Sequence, residues 1–380
     1  MANNNDWTAW RDEFPILARK SYLNSCSLGA LSTRAVQRVQ QFQDEWHEYG
    51  ASAWYERWLG RLDELRAAVA GMLNAPPREI ALAPSVSGAL TVIGSTLDYA
   101  GRPDVVVADL DFPTLAYQWM ARPGANVVRV PSDDGATVDP QRFADAVSER
   151  TALIATSHVF FTTGAIQDLK ALADIAHRAG ALLLVDAYQS AGQVPVDVRE
   201  ADVDVLITGP LKWLLGGPGL AYMYVRESLL GWLRPTVAGW FAHRRQFDFD
   251  IEHLELRDDA RRYEQGTPAL PTVHAALGGQ SIIDEIGVDA IRERNRFLTD
   301  RLIGLAHEND FDMRIAPRPQ DRSAIVMIAA DDPHAAVAHL AEHDIIVDAR
   351  PGYVRVSPHF YNTESEIEQM IVELARWRDG

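Results

Sequence analysis

Residues 182–225 read LLLVDAYQSAGQVPVDVREADVDVLITGPLKWLLGGPGLAYMYV, and this stretch decides the fold. Its apolar segments predict three strands, at Leu182–Asp186, 203–207 and Ala221–Val225. The first strand ends in Asp186, and Lys212 follows the second. Open α/β sheets bind their ligands at the carboxyl ends of parallel strands. We therefore expect this aspartate and this lysine to meet at one edge of a sheet.

An acid and an amine at such an edge suit pyridoxal 5'-phosphate (PLP). A lysine forms a Schiff base with the PLP aldehyde, and a carboxylate holds the ring nitrogen protonated, so that the ring can act as an electron sink. Alone, a lysine near a Gly-Pro turn is usually a solvated surface residue, and an aspartate that ends a strand is usually a turn residue. The pair favours a cofactor site, because Lys212 follows Asp186 closely and Gln189 lies between them. Lys212 reacts only when neutral, so we expect it to be buried beside other positive charge.

This arrangement resembles the class V aminotransferase family of fold type I PLP enzymes, in which an acid, a Gln or His three residues on, and a later lysine form the cofactor site. The resemblance implies that Lys212 and Asp186 are catalytic residues that also bind the cofactor. It further implies that Gln189 donates a hydrogen bond to the phenolic oxygen of the cofactor. Thr208, four residues before Lys212, is expected to bind its phosphate.

A second part of the cofactor site is predicted after a short strand at residues 80–82. Ser85, Val86 and Ser87 stand where a helix begins. The free backbone N–H groups and the dipole of a helix N-terminus favour an anion, and serine hydroxyls add donors. The same residues could simply cap the helix. Beside the Asp186 and Lys212 pair, we interpret them as the phosphate site.

Phe112, Pro113 and Thr114 follow a predicted strand at residues 105–108. This segment is similar to kynureninases, in which the phenylalanine stacks on the cofactor ring, so Phe112 is the candidate stacking residue. The chain departs from that family at two positions. Leu115 replaces an aspartate of kynureninases, and Leu211 replaces the tyrosine of kynureninases or the histidine of many desulfurases. These departures argue against kynurenine as the substrate.

Two further segments resemble motifs that act across a subunit boundary. Residues 239–243 read GWFAH, similar to Gly-Trp-Trp-Gly-His of kynureninases, and residues 263–268 read YEQGTP, similar to Glu-x-Gly-Thr-Pro. The resemblance implies that Trp240 and Thr267 reach the cofactor phosphate of the neighbouring subunit. The protein would then be a homodimer with a shared active site. The alternative is a plain loop before a helix at Pro271.

Three residues are candidates for binding the substrate. Residues 355–362 read RVSPHFYN and match a family ending in which the arginine, here Arg355, clamps the substrate α-carboxylate through two hydrogen bonds. Asn24 lies in a segment similar to the Asn-Ser-Leu-Gly segment of kynureninases. His158 could contact the substrate from a Ser-His-Val segment, or it could be a structural histidine bonded to the backbone.

Composition limits the class of protein. Apolar residues make up 47% of the 380 residues and charged residues 23%, which are ordinary globular values. The net charge of −17 argues against a nucleic-acid or acidic-membrane partner. The sequence has no run of about 18 apolar residues, the length that a membrane-spanning helix needs. Residues 1–6 lack the apolar core of a signal peptide. The single Cys26 excludes an intramolecular disulfide and a multi-cysteine metal site, so we expect a cytoplasmic protein without a metal.

The alternation of strands and helices predicts an α/β fold with a mostly parallel, seven-stranded type of sheet and right-handed crossovers. We divide the chain into an N-terminal arm (1–30), a large cofactor-binding domain (31–270) and a small C-terminal α/β domain (271–380). The small domain begins with two bridging helices at 272–285 and 288–307.

The sequence therefore predicts a PLP enzyme that acts on an α-amino acid. A lyase that eliminates a β-substituent, such as a carbon–sulfur lyase, or an aminotransferase ranks first, and a kynureninase-like hydrolase is the alternative. Desulfurases that form a persulfide carry a cysteine in the C-terminal third, whereas Cys26 lies near the N-terminus. That type of desulfurase is therefore disfavoured. A fold relative without catalytic activity is a further alternative, and the presence of Lys212, Asp186 and Arg355 argues against it.

Overall fold

The computed structural model describes residues 6–380; residues 1–5, the start of the predicted N-terminal arm, lie outside the described residues. The α-helices are α1 (Trp7–Trp10), α2 (Thr33–Tyr49), α3 (Leu59–Met72), α4 (Val86–Gly94), α5 (Pro113–Met120), α6 (Pro140–Ala146), α7 (Leu169–Arg178), α8 (Leu270–Ile286), α9 (Val288–Glu308), α10 (Pro333–Glu342) and α11 (Glu364–Asp379). The strands are β1 (Ser21–Tyr22), β2 (Ile80–Ala83), β3 (Asp104–Ala108), β4 (Asn126–Val130), β5 (Thr151–Ser157), β6 (Leu182–Asp186), β7 (Val205–Thr208), β8 (Ala221–Val225), β9 (Met313–Arg314), β10 (Val326–Ala329), β11 (Ile345–Ile346), β12 (Asp348–Arg350) and β13 (Tyr353–Val356).

The largest sheet has seven strands in the order β2-β8-β7-β6-β5-β3-β4. Strand β8 is antiparallel to both of its neighbours, and all the other pairings are parallel. The predicted mostly parallel sheet is therefore confirmed. Strand β6, which ends in Asp186, lies at the centre of the sheet.

The central strands are mostly apolar because both faces of the sheet are covered. Side chains of a strand alternate between the two faces. In β6, Leu183 and Val185 belong to the hydrophobic core on one face, and Leu184 belongs to the core on the other face. This double burial holds the carboxyl end of β6 in place, and the candidate site lies there.

A smaller antiparallel sheet has the order β12-β13-β10-β9. Its core includes apolar residues of α9, α10 and α11. Helix α11 opens with a capping box, in which Thr363 and Glu366 each bond the backbone of the other. Strand β1 pairs in parallel with β11, so the N-terminal segment contacts this part of the protein. The domain boundaries at residues 30 and 270 stay predictions.

Some local features of the fold have structural reasons. Helix α3 begins at Leu59 and is preceded by a π-helical turn at Trp54–Trp58. Strands β11 and β12 are separate, because β11 pairs with β1 whereas β12 pairs with β13. Strands β1 and β9 have two residues each, too few to show a periodic pattern. Among residues 6–380, no helix has the length and hydropathy needed to cross a bilayer.

Candidate active site

The candidate site lies at the carboxyl ends of β5, β6 and β7. The register places Ser157 opposite Asp186 and Asp186 opposite Ile207, so three strand ends meet at one edge. A cavity of about 370 Å³ opens there. Its lining includes Ser85, Val86, Ser87, Phe112, Asp186, Gln189 and Lys212, all predicted from the sequence. The fold therefore brings seven of the predicted residues to one cavity.

Lys212 is held by the backbone of its own loop and of the N-terminal segment. Gly29 N–H donates to the carbonyl of Leu211 at 2.9 Å, and Leu215 N–H donates to the carbonyl of Lys212 at 3.2 Å. A Cβ on Gly29 would lie 2.2 Å from the Lys212 carbonyl oxygen, closer than van der Waals contact allows. Only glycine fits at position 29, and its close approach fixes the lysine loop.

The Lys212 amine is enclosed by aromatic rings. Its Nζ lies 4.7 Å from the ring centroid of Tyr188 and 6.0 Å from that of Phe112. Burial lowers the pKa of Lys212 to about 8, and the positive charges of Arg355 and Arg350 act in the same direction. The neutral amine that attacks an aldehyde is thus far more accessible than for a solvated lysine.

Asp186 is buried beside the amine. Its Oδ1 accepts a hydrogen bond from Tyr188 N–H at 2.8 Å. Burial raises the pKa of Asp186, whereas this hydrogen bond and the positive charge of Lys212 oppose the rise. A pyridinium N–H beside the carboxylate would stabilise the ionised form in the same way that any cation does.

Gln189 is oriented by two hydrogen bonds. Its amide oxygen accepts from Trp213 Nε1 at 2.9 Å, and its amide nitrogen donates to the carbonyl of Cys26 at 3.0 Å. An amide NH₂ group has two hydrogens. The second hydrogen is available to a ligand in the cavity that Gln189 lines.

The N-terminus of α4 forms another part of the cavity wall. Ser85 is the N-cap residue, and its Oγ accepts from Gly88 N–H at 3.0 Å. The first amides of a helix have no intrahelical partner, so the N–H groups of Val86 and Ser87 can bind an anion. The Ser87 hydroxyl lies 2.9 Å from the Thr114 hydroxyl. The cavity thus offers an amine, a carboxylate and an anion site, and these groups fit the aldehyde, the ring nitrogen and the phosphate of PLP.

Comparison with known proteins agrees with this chemistry. The profile of the family described as "Aminotransferase class-V" matches residues 22–370. The chain is 36% identical over 368 residues to the uncharacterized aminotransferase YcbU of Bacillus subtilis, covering 96% of each chain. It is 31% identical over 377 residues to the kynureninase of Shouchella clausii, covering 94% of this chain and 88% of the other. The chain belongs to the class-V aminotransferase family.

The fold is that of fold type I PLP enzymes. A structure of C-DES, a cystine C–S lyase, superposes with a TM-score of 0.89 at 23% identity, and the alignment covers 96% of this chain and 98% of that chain. That structure is a mutant with glycine covalently linked to the PLP cofactor. Membership of the class-V family makes this chain a PLP-dependent enzyme.

Arg355, a substrate-binding candidate, does not line the cavity that Lys212 and Asp186 line, which we call the class-V cavity; it contacts the wall of this cavity through Phe161. It is almost completely buried, with 1% of its surface exposed. Its Nη1 donates to the carbonyl of Phe161 at 2.8 Å, and Phe161 lines the cavity. Its Nη2 donates to Ser27 Oγ at 2.6 Å and to Asp348 Oδ2 at 2.7 Å. Its Nε is buried without a hydrogen-bond partner among residues 6–380.

His158, Thr208 and Asn24 do not line the cavity. Burial, helped by the charge of Arg292, lowers the pKa of His158 to about 4, so its imidazole is neutral. The Thr208 hydroxyl donates to the carbonyl of Ala187 at 3.1 Å, which leaves its lone pairs as acceptors. Asn24 forms a parallel bridge with Ser357 next to Arg355.

Trp240 and Thr267 line two other cavities. The cavity of Thr267 shares Pro84, Gly219 and Leu220 with the class-V cavity, so the two are adjacent. Trp240 lies in a turn that packs closely on the segment before Thr267. A Cβ on Gly239 would lie 1.9 Å from the carbonyl oxygen of Gln265.

Some residues of the cavity were not singled out from the sequence. These are Thr114, Ser157, Phe161, Tyr188 and Leu220, among others. Thr114 and Tyr188 stand two residues after predicted site residues, and that spacing could have identified them. Of the two departures from kynureninases, Leu211 lines the cavity, whereas Leu115 is a fully buried residue of α5.

Proposed function

We propose that this chain is a PLP-dependent lyase or aminotransferase that acts on a small α-amino acid, with Lys212 as the proton-transferring base. The observation that carries the proposal is the buried Lys212 amine, whose pKa is lowered to about 8 in the cavity that Asp186 also lines. An amine with a pKa near the working pH is both a good nucleophile and a good proton carrier. Its position supports both roles.

PLP, when bound, supplies an electron sink for the carbanion that forms at the substrate Cα. Each residue of the cavity then has a role. Lys212 accepts the α-proton and returns it, and Asp186 keeps the ring nitrogen protonated. Phe112 would pack against the cofactor ring, and Gln189 would donate a hydrogen bond to its phenolic oxygen. Ser85 and the N–H groups of Val86 and Ser87 would hold the phosphate; Thr208, also predicted to bind it, could do so only if its hydroxyl turned away from the Ala187 carbonyl.

Arg355 is the proposed site for the substrate carboxylate. Its guanidinium is buried directly behind Phe161 and retains a free Nε. A planar guanidinium binds a carboxylate with two hydrogen bonds, which an ammonium cannot reproduce. Asn24 and His158 are proposed to border the same substrate. Asn24 forms a bridge with Ser357, and the backbone N–H of His158 donates to the carbonyl of Asp186 at 2.9 Å. The neutral imidazole of His158 can offer a hydrogen bond without adding charge.

Cys26 supports a lyase that releases its product directly. The residue is 1% exposed, and its Sγ lies 3.9 Å from the Asn24 amide oxygen. A sulfur carrier has to present its thiol to an acceptor protein, and this thiol is enclosed. The proposed lyase therefore does not pass sulfur through a cysteine of its own.

The second candidate is a kynureninase-like hydrolase, which the 31% identity to a kynureninase over nearly the whole chain supports. The apolar Leu211 in the cavity wall opposes it, because the hydrolysis needs a positioned water and Leu211 adds no polar group. We therefore rank it below elimination and transamination.

A homodimer is proposed from an exposed apolar surface. Five large apolar side chains between residues 240 and 254 are exposed, with Phe249 at 70% and Ile251 at 98%. Trp240 and Phe249 stack at 6.4 Å within this surface. Exposed apolar patches of this kind usually mark protein–protein contacts. Trp240 and Thr267 would then complete the phosphate site of the partner subunit.

The test is a product assay on purified holoenzyme with cysteine conjugates, kynurenine and amino-acid/keto-acid pairs. Pyruvate with thiol release identifies the lyase, a new amino acid identifies the aminotransferase, and anthranilate identifies the hydrolase. Borohydride reduction followed by peptide mapping tests the attachment residue. The chain has only three lysines, Lys20, Lys170 and Lys212, so the assignment is unambiguous. A colourless protein that borohydride leaves unlabelled would refute the proposal and support a non-catalytic fold relative.

A further inference from the structure

A group of two histidines and a glutamate lies in the C-terminal part of the protein, on elements that do not line the class-V cavity. His339 is in the last turn of α10, His343 is the residue that ends it, and Glu373 is on α11. One nitrogen of each ring and one carboxylate oxygen all lie within 4.8 Å of one another. Histidines four residues apart face the same side of a helix, so α10 presents both rings to α11.

The distances within this group are too long for direct hydrogen bonds. His339 Nε2 lies 3.7 Å from Glu373 Oε2, and His343 Nε2 lies 3.5 Å from the same oxygen. Nitrogen–oxygen hydrogen bonds are normally about 2.7–3.2 Å long. Two ligand atoms at about 2.0–2.1 Å from a tetrahedral Zn²⁺ are separated by about 3.3–3.4 Å. The observed separations match a shared metal ion after a shift of a few tenths of an ångström.

Two of the three atoms are buried without a partner. His339 Nε2 and Glu373 Oε2 have no hydrogen-bond partner among the described residues, although both are shielded from solvent. An unsatisfied buried polar atom costs free energy, and such an atom calls for a ligand that is not part of the chain. Glu373 as a whole is only 6% exposed, so solvent has little access to it.

The tautomer of His343 is set by its other ring nitrogen. His343 Nδ1 lies 2.9 Å from the carbonyl oxygen of His339, and a carbonyl can only accept a hydrogen bond, so Nδ1 carries the proton. In a neutral ring of this tautomer, Nε2 carries a lone pair and no hydrogen, and this atom faces Glu373. Metal-bound histidines commonly donate their second ring N–H to a backbone carbonyl in this way. A cation between Nε2 and the carboxylate would bind both lone pairs.

We propose that His339, His343 and Glu373 bind one divalent transition-metal ion, with Zn²⁺ as the best match. Two imidazoles and one carboxylate form a mixed nitrogen and oxygen ligand set that suits Zn²⁺. Arg376 bonds the other carboxylate oxygen, Glu373 Oε1, and holds the carboxylate in orientation. His343 is exposed, so a fourth position remains open to water.

The ion would join the end of α10 to α11. Strands β11 and β12 follow α10 directly, and β12 carries Asp348, the partner of Arg355. A metal link at this place would stabilise the part of the protein that supports the substrate carboxylate site. The three ligand residues do not line the class-V cavity, so the metal would be a structural ion and not a catalytic one.

Calorimetric titration of the metal-free, tag-free holoenzyme with ZnSO₄ tests the proposal, together with metal analysis of the dialysed complex. We expect one Zn²⁺ per chain at this site and an increase in melting temperature of roughly 3 °C at about 100-fold excess over Kd. His343→Gln, His339→Gln and Glu373→Gln should each weaken binding by about 10-fold or more. His334→Gln is the matched control, since it removes an exposed histidine from the same helix.

Crystals of the Zn²⁺-loaded holoenzyme give a direct second measurement, which does not depend on how stable the variants are. An anomalous difference peak between His339, His343 and Glu373 is expected. The proposal is overturned if the wild type takes up no Zn²⁺, or if the three variants bind as tightly as His334→Gln. It is also overturned if the anomalous peak lies at other residues.

Discussion

The candidate active site has a cofactor side, around Asp186 and Lys212, and a carboxylate side, around Arg355 and Asp348. The surroundings shift the pKa values of the charged groups on these two sides in opposite senses. On the cofactor side, burial raises the pKa of Asp186 and lowers that of Lys212, so neither charged form is favoured by its surroundings. On the carboxylate side, partial burial acts on Asp348, but a hydrogen bond from Ser27 and the charges of Arg350 and Arg355 hold its pKa below the ordinary value. The charged groups of the cofactor side need a ligand as their partner, whereas those of the carboxylate side already pair with each other within the chain.

This difference predicts that the two sides respond differently to substitution. On our proposal, removing a group from the cofactor side lowers kcat, because those residues act on the reacting atoms. On our proposal, removing a group from the carboxylate side changes substrate binding, because Arg355 binds the substrate carboxylate and is itself held by Asp348 and Ser27. A KM-against-kcat comparison separates the two responses.

The largest effect is expected for Lys212→Ala. Turnover should fall by at least about 10²–10⁴-fold, the usual contribution of a positioned acid–base group, and the covalent link to the cofactor should be lost. Steady-state assays and borohydride mapping measure the two effects. Lys170→Ala is the matched control, because Lys170 is exposed and forms an ion pair with Asp174 four residues on. Normal turnover in Lys212→Ala would contradict the assignment.

Asp186→Asn should have the next largest effect. The amide cannot keep the ring nitrogen protonated, so kcat should fall by about 10²–10³-fold, the size found when one preorganised electrostatic partner is removed. KM should change little. Asp186→Glu keeps the charge and should restore part of kcat, which a purely structural role of the residue would not predict. Equal losses in both variants would indicate that the side chain is needed for packing.

The lowered pKa of Lys212 predicts a pH profile for recombination of the apoprotein with PLP. The neutral amine reacts, and its fraction rises about tenfold per pH unit until the pH reaches the pKa. The rate should therefore rise with pH and level off above about 8, the pKa of the buried amine. Nα-acetyl-lysine in the same buffers is the control, and its rate should continue to rise toward the ordinary lysine value of 10.5. Identical profiles would show that the cavity does not perturb the amine.

The elements of the cofactor side could be predicted because they are local. The apolar run that ends in Asp186 and the turn around Lys212 lie within one stretch of sequence, and parallel strands bring their carboxyl ends together. The residues around Ser85 were identified for the same reason, since a helix start can be recognised from its own residues.

The carboxylate side could be predicted only in part. Arg355 could be assigned through family resemblance, but its pairing with Asp348 depends on the antiparallel register of β12 and β13, which the sequence does not specify. The group of His339, His343 and Glu373 was missed for a similar reason, because Glu373 comes from a different helix. The single cysteine argues against a cysteine-based metal site, but it does not bear on a site made of histidine and glutamate.

A smaller effect is expected for Arg355→Lys. An ammonium keeps the charge but cannot bind a carboxylate with two parallel hydrogen bonds. KM should rise by about 10- to 100-fold with a much smaller change in kcat, as expected for the loss of a charge-assisted hydrogen bond. Arg314→Lys is the control on the same sheet, where the guanidinium lies over the Tyr353 ring. A fall in kcat at constant KM would show that Arg355 acts in the chemical step and not in substrate binding.

The smallest effect is expected for Asp348→Asn, and it decides what the internal ion pair does. If Asp348 holds the guanidinium of Arg355 in position, the weaker amide partner should raise KM about 5-fold, which corresponds to about 1 kcal/mol of lost hydrogen bonding. If Asp348 instead competes with the substrate carboxylate for Arg355, KM should fall. We expect the rise, because Asp348 Oδ2 lies 2.7 Å from Arg355 Nη2 and 2.8 Å from Arg350 Nη2, so the carboxylate links two arginines that would otherwise repel each other. Steady-state kinetics of Asp348→Asn beside Asp344→Asn, an exposed neighbour that pairs with Lys20, gives the answer.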